Sequence, residues 1–158
     1  MIRPATSADL PAMVALSEAK RTEYERYQPV FWRKAPDSAA VQAPFFTALL
    51  QRPNVIALVH EERGVVDGFL IADLIPSPPV YAPGGLTCRI DDYCVASGAD
   101  WEQVGLALLR AAEAAGAERG AVQTVVVCGH LDLPKRAMLA AAGYSIASEW
   151  WTRPIGDE

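Results

Sequence analysis

The chain has 158 residues, 51% of them hydrophobic, and a formal net charge of −5. That length suits a single domain, residues 1–158, with enough apolar surface for a sizeable core. The acidic balance, with basic runs never longer than two residues, excludes the basic stripe of a nucleic-acid binder and a polybasic grip on a membrane.

Residues 1–13 hold no apolar run of signal-peptide length, and no later stretch would span a bilayer, so the expected location is the cytoplasm. Residues 1–4 read as a first strand. Thr6, Ser7 and Asp9 supply side-chain oxygens for a helix start, and Leu10, Met13, Val14 and Leu16 give that helix an apolar face. Tyr24, Tyr27, Phe31 and Trp32 fall in a stretch broken by Pro29 and Pro36, which predicts a loop. A second helix is predicted over residues 39–51, stopped at Pro53. Val55 to Val59 and residues 65–74, joined across Glu62-Arg63-Gly64, predict an antiparallel hairpin. Four prolines and two glycines in residues 75–85 mark an irregular loop. Residues 87–95 predict a fourth strand, 101–118 a helix, 122–128 a fifth strand, 133–142 a short helix, and 145–153 a last strand.

The order β-α-α-β-β-β-α-β-α-β implies an α/β fold with a mixed sheet and helices on its faces. Cys88, Cys94 and Cys128 lack CxxC spacing and sit in apolar surroundings, so they read as small buried hydrophobes rather than metal ligands. No metal is expected. Trp150 and Trp151 are adjacent in the last predicted strand and put one ring on each face. An exposed aromatic there would suit a homodimer contact.

Several pieces, in this order, resemble the GNAT superfamily of acyl-CoA-dependent N-acyltransferases. Ile2-Arg3-Pro4-Ala5-Thr6 with Asp9-Leu10 looks like its first strand and turn. Gly64 to Phe69 resembles its hairpin, Ile90 to Val95 its fourth strand, and Ala142-Gly143-Tyr144 the Gly-aromatic pair that closes its last helix. The resemblance covers essentially the whole chain and implies the GNAT fold, acetyl-CoA or another acyl-CoA as co-substrate, and a small-molecule amine as acceptor. Pantetheine is then expected along Tyr93, Cys94 and Val95.

The family's phosphate motif, Arg/Gln-x-x-Gly-x-Gly/Ala, begins five residues after the valine that ends the fourth strand. Its glycines let backbone approach the pyrophosphate, and helix-start N–H groups bind the anion. Counting from Val95 gives Asp100-Trp101-Glu102-Gln103-Val104-Gly105, followed by Leu106. The resemblance assigns cofactor contact to Gln103, Val104, Gly105 and Leu106, although Asp100 stands at the Arg position and Gln103 at that of the first Gly. Asp100 and Gln103 also have capping-box spacing, which would turn the helix N–H donors inward.

Transfer to an amine needs a base, which this family often takes from the fourth strand as a carboxylate. Asp91 and Asp92 are the candidates, with Asp92 preferred. In a regular strand they face opposite ways, but the family commonly bulges this strand. His130, after the fifth strand, is a candidate proton shuttle. The tyrosine usually found four residues before the Gly-aromatic glycine is Leu139 here. Lys135 and Arg136 form a basic pair at a helix start that could meet a CoA phosphate, although solvation is the ordinary state of such a pair. Two readings follow. One is an N-acetyltransferase acting on a small amine. The other is an inactive GNAT-fold protein serving as a ligand- or protein-binding module.

Overall fold

The computed structural model describes residues 1–156. Strands β1 (Ile2–Pro4), β2 (Val55–Glu62), β3 (Val65–Ile75), β4 (Leu86–Val95) and β5 (Ala121–Val126) form one sheet in the order β1-β2-β3-β4-β5. Neighbours are antiparallel except β4 and β5, which run parallel. Helices α1 (Leu10–Tyr27) and α2 (Ser38–Leu50) connect β1 to β2. α3 (Val104–Glu118) connects β4 to β5, and α4 (Leu133–Ala141) follows β5. The sequence places these elements within a few residues, except that α1 runs through Tyr24 to Tyr27, where the sequence predicts a loop.

Each face of the sheet carries its own core. Met13 of α1 and Phe46 and Leu49 of α2 pack on Val59, Phe69, Ile71 and Cys94. On the other face Leu108, Leu109 and Ala112 of α3, with Met138 and Leu139 of α4, pack on Leu70, Ala72, Cys88, Ile90 and Tyr93. These are the helical spacings expected of amphipathic elements, and alternation along the strands serves both faces. Cys88 and Cys94 are buried and Cys128 half-buried, as small hydrophobes. Among the described residues no helix is long and apolar enough to cross a membrane.

The predicted last strand does not form. Gly143 ends α4 with φ of 90°, and the Tyr144 hydroxyl donates to Glu113 at 2.5 Å, but residues 145–153 have no strand pairing. A lone extended segment is not stable as a strand without a hydrogen-bonded neighbour. This one exposes Trp150 and Trp151 almost fully.

Candidate functional site

The site begins with a fault in β4. Leu70 faces Tyr93 across the ladder and Ala72 faces Ile90, so Asp91 and Asp92 stand opposite the single residue Ile71. Such a bulge bends a strand and re-aims its side chains. Asp91 is exposed, whereas Asp92 is half-buried. Burial raises the Asp92 pKa above the usual carboxylate value, the charge of Lys20 opposes that, and Asp91 adds to it. The bulge therefore gives the two carboxylates different surroundings.

Just past the bulge β4 loses its parallel neighbour. Pairing runs from Leu86↔Ala121 to Ile90↔Val126 and closes with the Val127 N–H on the Ile90 carbonyl at 2.9 Å. β4 continues to Val95, but β5 has ended, which leaves a wedge beside the edge of residues 91–95. This is the edge along which the sequence placed pantetheine.

Side chains of the protein fill much of that wedge. Lys135, in the first turn of α4, is fully buried, with Nζ donating to the Val127 carbonyl at 2.9 Å. The ammonium lies 4.8 Å from the centre of the Tyr93 ring and 5.2 Å from that of Trp101, within cation–π range. Burial lowers its pKa to about 8. The solvated helix start expected for this basic pair is thus overturned at Lys135. Periodicity explains it, because positions 135, 138, 139 and 142 share the helix face that enters the core.

Trp101 closes the adjoining turn. Its ring is buried, meets Tyr93 edge-to-face at 4.8 Å, and rests on Gly105, where an added Cβ would stand 2.5 Å from the indole. The Tyr93 hydroxyl donates to the Gly105 carbonyl at 2.5 Å. Gly105, the one glycine kept from the phosphate motif, is thus required by an indole.

The capping box also falls elsewhere than expected. Residues Gly98–Glu102 form a 3-10 turn whose cap is Ser97. The Asp100 carboxylate accepts from the Ser97 N–H at 3.1 Å, and the Ser97 hydroxyl accepts from the Ala99 N–H at 3.3 Å. Gln103 caps α3 with no side-chain bond. Pro134 of α4 lies against this turn, 3.4 Å from where a Cβ on Gly98 would be. Gln103, Val104, Gly105 and Leu106 do open α3, but the Trp101 indole packs on Gly105 and Pro134 packs on the turn before it. The residues present do not fit a pyrophosphate held in the family's manner.

A second network backs the wedge. The Tyr24 hydroxyl of α1 donates to the Asp132 carboxylate at 2.7 Å and accepts from the Gly129 N–H at 3.1 Å. Gly129 is needed there, since a Cβ would come 2.8 Å from the Tyr24 ring. Lys20 sits over the other part of that ring at 5.2 Å. Tyr27, Phe31 and Trp32 continue the aromatic cluster, with Trp32 5.2 Å from Tyr24 and Phe31 5.8 Å from Trp150. Lys20, Tyr24, Trp101, Asp132 and Lys135 are thus the residues that sequence reasoning did not assign. His130 is exposed at the wedge mouth, its carbonyl accepting from Arg136, and is not drawn into the cluster. His60, to which the sequence gave no role, bonds Asp67 at 2.5 Å and ties β2 to β3.

No family model matches the chain, and no curated protein matches it. Solved structures do. A variant of the BH1408 protein from Bacillus halodurans superposes with a TM-score of 0.85 at 18% identity, over 98% of this chain and 99% of that one. A predicted acetyltransferase from Clostridium acetobutylicum, solved with acetyl-CoA, gives 0.74 at 16% identity, over 98% and 95%. A GCN5-related N-acetyltransferase from Ralstonia eutropha gives 0.71 at 27% identity, over 98% and 97%. The chain therefore has the fold of the GNAT acetyltransferases.

Proposed function

We propose that the chain is an acyl-CoA-dependent N-acyltransferase of a small amine, with Asp92 as the base. The observation that carries this reading is the β4 bulge, which sets a half-buried carboxylate of raised pKa beside an unpaired strand edge. A carboxylate held above its ordinary pKa is a better proton acceptor from a bound ammonium than a solvated one. The superposed acetyltransferases support the same reading by fold analogy, which supplies a reaction class and not a substrate. Acyl-CoA would contact the free edge of Tyr93, Cys94 and Val95, and room for it requires the first turn of α4 to move off the 3-10 turn.

A second reading has an observation of its own. Lys135 and Trp101 fill the wedge from within, which suits a GNAT-fold module that has kept the scaffold and closed the nucleotide cleft. Calorimetric titration with acetyl-CoA, paired with a thiol-release assay over a panel of amines, separates the two. The first reading expects saturable binding and a turnover that falls by roughly 10²–10⁴ in Asp92→Asn. Absence of binding at millimolar acetyl-CoA, or turnover unchanged in Asp92→Asn, would favour the second.

A further inference from the structure

Beyond the core under α1 and α2, the same face of the sheet is left open. Cys88 and Ile90 of β4 turn into the α3 core, so Thr87 and Arg89 turn to the opposite face, which Cys94 shares with α1 and α2. That helical core reaches Ile71 and Cys94. Further along, Arg89 and its β5 neighbour Val125 are exposed. Asp92 stands two residues from Cys94 and feels the charges of Lys20 and Arg21 on α1, which puts it at the head of this open track.

The track ends in a groove of about 410 Å³ beside the β3–β4 connection. Its lining is mostly apolar, from Ile75, Pro76, Tyr81, Pro83 and Val125. Of its polar members, Gln123 donates to the Thr87 hydroxyl at 2.8 Å, and the Ser77 hydroxyl lies 3.5 Å from the same oxygen. A turn closed by the Tyr81 N–H on the Pro78 carbonyl at 2.9 Å, in a connection holding four prolines, gives the 70% exposed Tyr81 ring a stiff support.

The two ends of the track call for different chemistry. Asp91 and Asp92 have no ion-pair partner among the described residues. Between them and the groove the Arg89 charge is matched by Asp73, which accepts from it at 2.7 and 2.9 Å. From Asp92 back to Thr87 the strand spans about 15 Å. A molecule complementary to both ends is a cation with an apolar tail of that reach.

We propose that the acceptor is an elongated amine, with its ammonium at Asp92, its middle across the Asp73–Arg89 pair, and an apolar chain or ring in the groove beside Tyr81. This rests on the reading of Asp92 as the base and adds the far end of the substrate. A short amine reaches Asp92 and leaves the groove wet. Each methylene that enters the groove strengthens binding by about fourfold.

Calorimetric titration with butylamine, octylamine and dodecylamine tests the length, each amine also being run with acetyl-CoA in the thiol-release assay. Butylamine and octylamine should bind alike, because neither tail reaches the groove, and dodecylamine roughly tenfold or more tightly. Tyr81→Ser, in the connection, and Val125→Glu, on the groove wall, should each bring dodecylamine down to the affinity of butylamine with unchanged circular dichroism. An affinity that climbs evenly with chain length, or a dodecylamine advantage that survives both variants, would overturn the proposal. So would a Tyr81→Ser protein that changes size on gel filtration but not amine affinity, since the groove would then belong to a second copy. Turnover that is lost in Asp92→Asn and shows no preference for dodecylamine removes the groove and leaves the base. A dodecylamine preference that Tyr81→Ser abolishes, with no turnover on any amine, removes the acyl transfer and leaves an elongated-amine site.

Discussion

Two regions of the sheet hold a cation by opposite means. At the N-terminal end charges meet charges: Arg3 donates to Asp9 through two nitrogens at 2.8 Å and to Glu61 at 2.6 and 2.8 Å. Hydrogen bonds from Arg3 are the main reason that the Asp9 carboxyl is lowered to about 2. In the wedge a single ammonium, Lys135, is buried against a carbonyl and two rings, and no carboxylate lies within ion-pair distance of it among the described residues. The first arrangement stabilises the charged form, and the second penalises it. A cation can therefore be an asset or a load in the same fold, depending on what replaces its water.

The largest effect is expected where the wedge is most filled. Trp101→Ala should destabilise the protein by about 3–5 kcal/mol in denaturant melts, as removal of a buried aromatic does. Gly105→Ala should cost about 1–3 kcal/mol by overpacking against the indole. In the Trp101→Ala background the same change should cost nothing or stabilise, since alanine is the better helix former. If Gly105→Ala were equally costly in both backgrounds, the glycine would serve something other than the indole.

Lys135 offers the next test, through pH. Its folded pKa of about 8 lies below the ordinary 10.5, so between those values the unfolded chain binds more protons and stability rises with pH. Comparison with Lys135→Met cancels the titration of other groups. From pH 7 to pH 10.5 the stability difference should shift in favour of the lysine by about 3 kcal/mol. A pH-independent difference would mean that the ammonium is solvated.

Asp9 should show a slope of the same sign, at acid pH, and a smaller effect. Its folded pKa of about 2 lies below the ordinary 3.8, so its contribution is present above pH 4 and lost as pH falls towards 2. Asp9→Asn should cost about 2 kcal/mol at neutral pH and close to nothing at pH 2. Equal losses at both pH values would assign the cost to packing alone.

The sheet was legible in the sequence because strand signals and turn residues repeat the physics of local pairing. The wedge was legible only in outline. The valine count located the turn after β4, but the capping box expected on Asp100 and Gln103 is formed by Ser97 and Asp100. Lys135 was read by its charge when its position beside Met138 and Leu139 already put it on the buried face. Trp101 was passed over because its partners, Tyr93, Gly105 and Lys135, come from three elements that only the splay of β4 and β5 brings together. The last predicted strand failed for a similar reason. Residues 145–153 have the composition of a strand, but a strand also needs a neighbour, and among the described residues none pairs with it.

The Tyr24 hydroxyl has a mechanical consequence. It bonds both Gly129 and Asp132, so the last turn of α1 is fastened to the two ends of the loop that leads into α4. Lifting α4 to admit any bulky ligand then either breaks that fastening or drags α1 with it. The Gly129 amide proton is a built-in reporter of which occurs: it exchanges with solvent only while the latch is open.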